Sequence, residues 1–129
     1  MNVSVLGASD KRERYSYMAV KMLAEKGHTV FPIHPLLDEI DGIRVFKRLA
    51  DVPSPIHTVT VYLSPGRSTP LASEIASVRP RRVIFNPGAE NDQLARRLSS
   101  EGIPVLEACT LVLLRTNQFD TAGVKAPGP

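Results

Sequence analysis

Strand and helix signals alternate along nearly the whole of this 129-residue chain. Short β-branched and apolar runs, for example Val3-Ser4-Val5-Leu6, end at glycine or proline, and stretches with helical spacing of apolar residues follow most of them. The predicted strands cover residues 3–6, 29–33, 43–46, 58–63, 82–85 and 103–106, and the predicted helices cover 16–26, 69–78, 92–101 and 110–115, with one turn at 48–52. Near-continuous apolar strands indicate a parallel sheet with helices on both faces.

Right-handed crossovers then favour a single doubly wound, Rossmann-like α/β domain of about five strands, in the order third-second-first-fourth-fifth. In such a sheet, ligands bind at the carboxyl ends of the strands, where the chain reverses direction between the first and fourth strands. The loops at this crevice are residues 7–16, 34–35, 63–67 and 86–90. Any site is therefore expected to draw on these four loops.

Length and composition set the class of protein. The chain is long enough for one core and too short for two, so we predict a domain over residues 1–120 and a loose tail over 121–129. The longest apolar run, 111–114, is far below the ~20 residues of a membrane helix, and no basic-then-apolar leader is evident. The single cysteine, Cys109, cannot form an internal disulfide. These features predict a cytoplasmic protein.

The first loop carries the strongest functional signal. Gly7-Ala8-Ser9 joins a buried strand to a helix, which places free N–H groups and the positive end of a helix dipole at one turn. The Ser9 hydroxyl, Arg12 and Arg14 could add contacts to a phosphate, and Ser16 is expected to cap the helix. A simple tight turn remains the alternative. Only one glycine of the G-x-G-x-x-G fingerprint is present, so NAD is a poor first candidate.

The other loops offer weaker signals. His34-Pro35 follows the second strand, where an NAD site would place an acidic residue; an imidazole and a proline could flank adenine, or the proline could only turn the chain. Tyr62 is expected in the core. The crevice is expected to be lined by Ser64 and Pro65 and by the N–H-rich turn Asn86-Pro87-Gly88.

No pattern of residues indicates catalysis. The sequence has no evident Ser/His/Asp set, carboxylate pair or Walker loop, and its three histidines lack metal-ligand spacing. A net charge of +3, the absence of tryptophan and 5% aromatic residues argue against nucleic acid as a partner. We therefore expect a non-enzymatic protein with a small-molecule nucleotide ligand, no metal and no membrane. A homodimer or a protein partner stays open.

The loops together resemble the small stand-alone coenzyme A-binding proteins, and the chain is similar to the coenzyme A-binding domain of the succinyl-coenzyme A synthetase alpha subunit. The resemblance covers about residues 1–116. The matching stretches are Val5-Leu6-Gly7-Ala8-Ser9, Arg14-Tyr15-Ser16, Pro32-Ile33-His34-Pro35, Ile40-Asp41-Gly42, Leu49-Ala50-Asp51-Val52-Pro53, Asn86-Pro87-Gly88 and Glu107-Ala108-Cys109.

The resemblance implies a non-catalytic protein that binds coenzyme A or acyl-coenzyme A. It assigns the phosphates to Gly7, Ala8, Ser9 and Arg12, with help from Arg14. It assigns the adenosine to Pro35, Ser64 and Pro65, and the pantetheine arm to Asn86, Pro87 and Gly88.

Two departures from the resembled family stand out. His34 replaces a common asparagine. Leu36 and Leu37 stand where the synthetase has a lysine, so the resemblance implies that Arg12 or Arg14 would have to supply the charge for the 3′-phosphate of coenzyme A. The synthetase's phosphohistidine domain is absent, so ligase activity is not implied. The alternatives are an NAD(P)-binding oxidoreductase-like protein and a regulatory or scaffold module with a vestigial crevice.

Overall fold

A computed structural model describes residues 1–123 and shows a five-stranded parallel sheet in the order β2-β1-β5-β6-β7. A two-stranded antiparallel hairpin, β3–β4, lies outside this sheet. The strands are β1 (Asn2–Leu6), β2 (Thr29–Ile33), β3 (Glu39–Ile40), β4 (Ile43–Arg44), β5 (Thr58–Val61), β6 (Arg82–Phe85) and β7 (Val105–Glu107). The expected α/β class is confirmed.

Helices cover both faces of the sheet. They are α1 (Tyr15–Glu25), α2 (Pro65–Ser68), α3 (Ala72–Ser77), α4 (Asp92–Ser100) and α5 (Thr110–Arg115), with 3-10 turns at Leu49–Asp51 and Thr69–Leu71. Helices α1 and α5 pack on the face that presents Val3, Val5 and Ile84, whereas α3 and α4 pack on the face that presents Val59 and Val83. Successive strand residues point to opposite faces, so one short apolar strand supplies both cores.

The third predicted strand does not form as expected. Residues 43–46 were expected to extend the sheet beyond β2, but Ile43–Arg44 forms the hairpin with Glu39–Ile40, and only Phe46 reaches the sheet, as one parallel bridge to Ile33. The physical reason is the short connection. About a dozen residues are the minimum for a parallel crossover with its helix, so the chain turns back at Asp41 and Gly42 instead, both with positive φ.

The predicted helix at 69–78 is divided in the structure. Helix α2 begins earlier, at Pro65, and a 3-10 turn over Thr69–Leu71 separates it from α3. Pro70 lacks the N–H that a continuous α-helix would use at this position. This division places residues 64–71 beside the carboxyl end of β5, where they reach the site described below.

A buried arginine holds the end of the described chain at the amino edge of the sheet. Arg82 is fully buried; its Nε donates to the Thr58 hydroxyl over 2.8 Å, and its guanidinium lies 4.4 Å from the Phe119 ring centre. A second guanidinium nitrogen donates to the carbonyl oxygen of Ala122. Ala122, in the predicted tail, is therefore bound to the domain through this arginine, and residues 124–129 lie outside the described residues.

Removing the Phe119 ring should destabilise the whole domain. Phe119 is 2% exposed and covers the Arg82 guanidinium, so Phe119→Ala should lower the free energy of unfolding in urea by about 3–5 kcal/mol. Val112→Ala is the control in the same C-terminal region, because Val112 is 51% exposed. Equal effects of the two substitutions would show that the ring does not anchor the segment.

Two partly buried histidines should make stability fall in acid. His28 Nδ1 lies 3.2 Å from the N-terminal ammonium and His28 Nε2 lies 3.6 Å from Asp120; burial, followed by the ammonium charge, lowers the pKa of His28 although Asp120 opposes this. Burial and then the charges of Arg82 and Arg81 lower the pKa of His57. The two histidines therefore bind protons more readily in the unfolded chain than in the folded protein. The free energy of unfolding should fall as the pH drops through about 6.5.

Denaturant titrations between pH 7.5 and 5 test this expectation. His28→Gln should show a shallower loss of stability than the parent protein, because one of the two resisted protonations is removed. Lys26→Gln, at an exposed position near the same edge, should keep the parent slope. A parent slope in His28→Gln would contradict the assignment.

Candidate functional site

A cavity of about 880 Å³ opens at the carboxyl ends of β1, β2 and β5. Three of the four predicted loops, 7–16, 34–35 and 63–67, contribute to its lining. The predicted site residues among its walls are Gly7, Ala8, Ser9, Arg14, His34, Pro35 and Ser64. The volume lies in the range of small-molecule and cofactor sites.

Gly7 allows the strand ends to come close together. Its φ is +88°, and a Cβ added there would lie 2.8 Å from the Leu63 side chain and 3.3 Å from the Leu63 main-chain nitrogen. The next residue, Ala8, donates its N–H to the Ile33 carbonyl over 3.2 Å. The glycine thus sets the first loop against the third loop, and Ala8 ties it to β2.

The amino end of α1 faces the cavity without a side-chain cap. Arg14, in extended conformation, precedes the helix; its side chain makes no capping bond, and the first turn holds no acidic residue. Because Met18 is the first residue to donate to the Arg14 carbonyl, the N–H groups of Tyr15, Ser16 and Tyr17 lack intrahelical partners. Ser16, predicted as the cap, is instead the second residue of the helix. An 11-residue helix therefore presents open donors and a positive dipole end.

His34 shapes the second loop as a hydrogen-bond acceptor. Its Nδ1 accepts the N–H groups of Leu36 over 3.0 Å and Leu37 over 3.1 Å. This arrangement requires a neutral imidazole whose proton is on Nε2, so Nε2 is the ring's one donor. The Lys47 ammonium donates to the carbonyl oxygens of the same two leucines and to Asp38, which fixes the loop from its other side.

The charges around the cavity are of two kinds. Five cationic and three acidic side chains line it: Lys11, Arg14, Lys47, Arg48, Arg67, Asp10, Glu13 and Glu74. Lys47 pairs with Asp38 at 3.2 Å, and Arg48 pairs with Glu74 at 2.9 Å. Among residues 1–123, Lys11, Arg14 and Arg67 form no ion pair. These three cations are the ones left for an anionic ligand.

Part of the cavity wall is apolar. Leu63, Leu71 and the ring of Tyr62 form part of it, and Ser64 stands at its edge. The Tyr62 hydroxyl is buried and has no hydrogen-bond partner within the described part of the chain, and its burial raises the pKa of Tyr62. Tyr62 packs into the core as expected, although it lies just past the end of β5.

The fourth predicted loop does not line the cavity. The buried Asn86 side chain donates to the Thr60 hydroxyl over 2.7 Å and to the Val61 carbonyl over 3.0 Å, and its oxygen accepts the Thr110 N–H over 2.8 Å. The Gly88 N–H donates to Glu90. Asn86 therefore joins β5, β6 and the start of α5. Five predicted site residues lie outside the lining: Arg12, Pro65, Asn86, Pro87 and Gly88.

Sequence reasoning missed several residues of the cavity. Lys11 stands in the first loop between two selected residues, and Arg67 ends the third loop; both could have been found from their loop positions. Lys47 and Glu74 carried no such signal, because they reach the cavity from the segment after β4 and from α3. Only the folded structure brings these two elements to the strand ends.

Within residues 1–123, no helix is both long and apolar enough to cross a membrane. The same residues contain no group of three or more His, Cys, Asp or Glu side chains that could hold a metal ion.

Comparison with known families matches residues 1–115 to the family described as "CoA binding domain". This chain belongs to that family. The resemblance stated from the sequence is thereby confirmed, and the match spans all the loops around the cavity.

Two relatives match most of this chain. A crystal structure described only as an uncharacterized protein is 35% identical, with a TM-score of 0.81 over 92% of this chain and 97% of that one. The uncharacterized protein YneT of Bacillus subtilis is 25% identical over 104 residues, which cover 81% of this chain and 77% of that protein.

An ADP-forming acetate–CoA ligase of Methanocaldococcus jannaschii is 32% identical over 62 residues. That stretch covers 48% of this chain and 9% of the ligase. The match thus concerns one small part of a much larger protein.

Removing two tyrosine hydroxyls in turn tests whether the Tyr62 hydroxyl, in the apolar part of the wall, lacks a hydrogen-bond partner. Tyr62→Phe removes a buried hydroxyl that has no hydrogen-bond partner among residues 1–123, so the free energy of unfolding should stay unchanged or rise by up to about 1 kcal/mol. Tyr17→Phe removes a hydroxyl bonded to Asp41 and should not stabilise the protein. Urea denaturation of both variants measures the difference; a clear loss of stability in Tyr62→Phe would show that its hydroxyl has a partner.

Proposed function

We propose that this protein binds coenzyme A, free or acylated, in the cavity at the carboxyl ends of the strands and releases it unchanged. The observation that carries the proposal is the uncapped amino end of α1, which faces a cavity with three cations that form no ion pair within residues 1–123. Main-chain N–H groups at a helix amino end and nearby arginines are the donors that phosphate groups favour. Membership of the CoA-binding domain family supports coenzyme A as the phosphorylated ligand.

The walls suit the remaining parts of such a ligand. Pro35 and Ser64 stand on different loops at the mouth and are available to flank an adenosine. The apolar part of the wall, with Leu63 and Leu71, suits the pantetheine arm of coenzyme A. In this proposal Asn86 holds the sheet to α5 rather than touching the ligand, since its amide is engaged within the fold.

The proposed role is binding without catalysis. The Ser9 hydroxyl accepts the Lys11 N–H over 3.0 Å, and His34 Nδ1 is engaged by two N–H groups, so neither is arranged as a nucleophile with its base. The carboxylate of Glu74 is likewise engaged by Arg48 and by the Leu49 N–H. These polar side chains serve the shape of the cavity.

Calorimetry and thermal unfolding with coenzyme A, dephospho-coenzyme A and NADH test the proposal directly. Coenzyme A should bind saturably, and at a concentration about 100 times Kd it should stabilise the fold by roughly 2.7 kcal/mol. NADH should bind far more weakly, because His34 stands at the end of β2 where an acidic residue would hold the ribose. Saturable binding of NADH with no response to coenzyme A would overturn the proposal.

Substituting two arginines of the first loop tests which of them contacts the ligand. Arg14 lines the cavity and Arg12 does not, so Arg14→Ala should weaken coenzyme A binding by about tenfold, whereas Arg12→Ala should change Kd much less. Calorimetric titration of both variants gives the comparison, with Arg96→Ala on exposed α4 as the control for a lost surface charge. A larger effect at Arg12 would place the phosphates elsewhere.

A further inference from the structure

Arg67 is a cation of the cavity wall that lies outside the first loop, to which the proposed function assigns the phosphates. It lies on α2, lines the cavity, and forms no ion pair within residues 1–123. Lys11 and Arg14, by contrast, lie in the segment between β1 and α1. Two separate elements therefore bring to the cavity positive charges that have no ion-pair partner in the described part of the chain.

The position of Arg67 is fixed by buried polar contacts. Its N–H donates to the Ser64 carbonyl over 2.9 Å, and the neighbouring Ser68, fully buried, accepts the Asn91 side-chain amide over 2.8 Å. The same amide donates to the Thr69 hydroxyl over 2.9 Å. Asn91 thus anchors the turn that carries Arg67 to the start of α4, so the guanidinium extends from a rigid base.

One acidic side chain of the cavity wall, Glu74, is already engaged by other residues. Glu74 accepts two bonds from Arg48 at Oε1, at 2.9 and 3.2 Å, and the Leu49 N–H at Oε2, at 3.2 Å. The Glu74 side chain is mostly buried and holds the segment after β4 against α3. Because this carboxylate is used for structure, the charge of Arg67 is left for a ligand.

We infer that Arg67 binds a second phosphate group of the ligand, separate from the diphosphate at the amino end of α1. The inference rests on the proposed function. Coenzyme A carries a diphosphate and, on its ribose, a 3′-phosphate, and so matches a cavity with two separate sources of positive charge. The ribose would lie near Ser64 and Pro35, and Arg67 is three residues from Ser64. A guanidinium can hold such a phosphate through two parallel N–H donors.

The test compares two ligands that differ only in the 3′-phosphate. Calorimetric Kd values for coenzyme A and dephospho-coenzyme A are measured for the parent protein, Arg67→Ala, Arg67→Lys and the control Arg96→Ala. In the parent protein, coenzyme A should bind about tenfold more tightly than dephospho-coenzyme A, as expected for one charge-assisted contact. Arg67→Ala should abolish that preference while leaving the Kd for dephospho-coenzyme A within about twofold.

The other variants test whether the preference for coenzyme A depends on the guanidinium of Arg67 itself. Arg67→Lys should restore part of the preference, because it returns the charge without the two-donor geometry. Arg96→Ala should keep the full preference. Arg14→Ala should weaken both ligands by the same factor, since both carry the diphosphate.

The remaining outcomes distinguish failure of the proposed function from failure of the assignment of Arg67. If the parent protein binds neither ligand, the proposed function fails and this inference with it. If it binds both with equal Kd, or if Arg67→Ala weakens both equally or neither, coenzyme A binding stands and the assignment of Arg67 is overturned. Thermal unfolding of Arg67→Ala without ligand should match the parent protein, which separates lost binding from lost folding.

Discussion

The close approach of two strand ends at Gly7 underlies the rest of the structure. A side chain there would collide with Leu63, and the backbone has a positive φ that other residues rarely adopt. Because the main chain can pass at this distance, the loop after β1 lies directly against the loop after β5, and the amino end of α1 points into the space between them. The position of the cavity thus depends on one missing Cβ.

Around this point, two acidic groups serve the structure, whereas three of the basic groups form no ion pair within residues 1–123. Glu74 is saturated by Arg48 and a main-chain N–H, and Asp38 is bound by Lys47. The Arg48–Glu74 pair connects segments 26 residues apart, and the Asp38–Lys47 pair holds together residues only nine positions apart. Within residues 1–123, three unpaired cations at the cavity outnumber two unpaired carboxylates, those of Asp10 and Glu13, and the open N–H groups of α1 add to the positive side, which favours anions.

The features of this structure that the sequence predicts are those that depend on residues close together in the chain. Strand β1 and its glycine, the helices at 15–25 and 92–100, and the parallel sheet follow from periodicity and stop residues, which act within a few positions. The engagement of Asn86 with Thr60 and Thr110 does not, because it depends on which strands become neighbours. The same holds for Phe46, which reaches β2 only through one bridge. Pairings over long sequence distances are a property of topology, and the sequence pattern carries little of that information.

The contacts among Met1, His28 and Asp120 bring the beginning of the chain and the end of its last helical region together at the amino edge of the sheet. The cavity lies at the opposite edge. The first residue of the chain is thus held at the edge of the sheet away from the cavity and contributes nothing to the cavity wall.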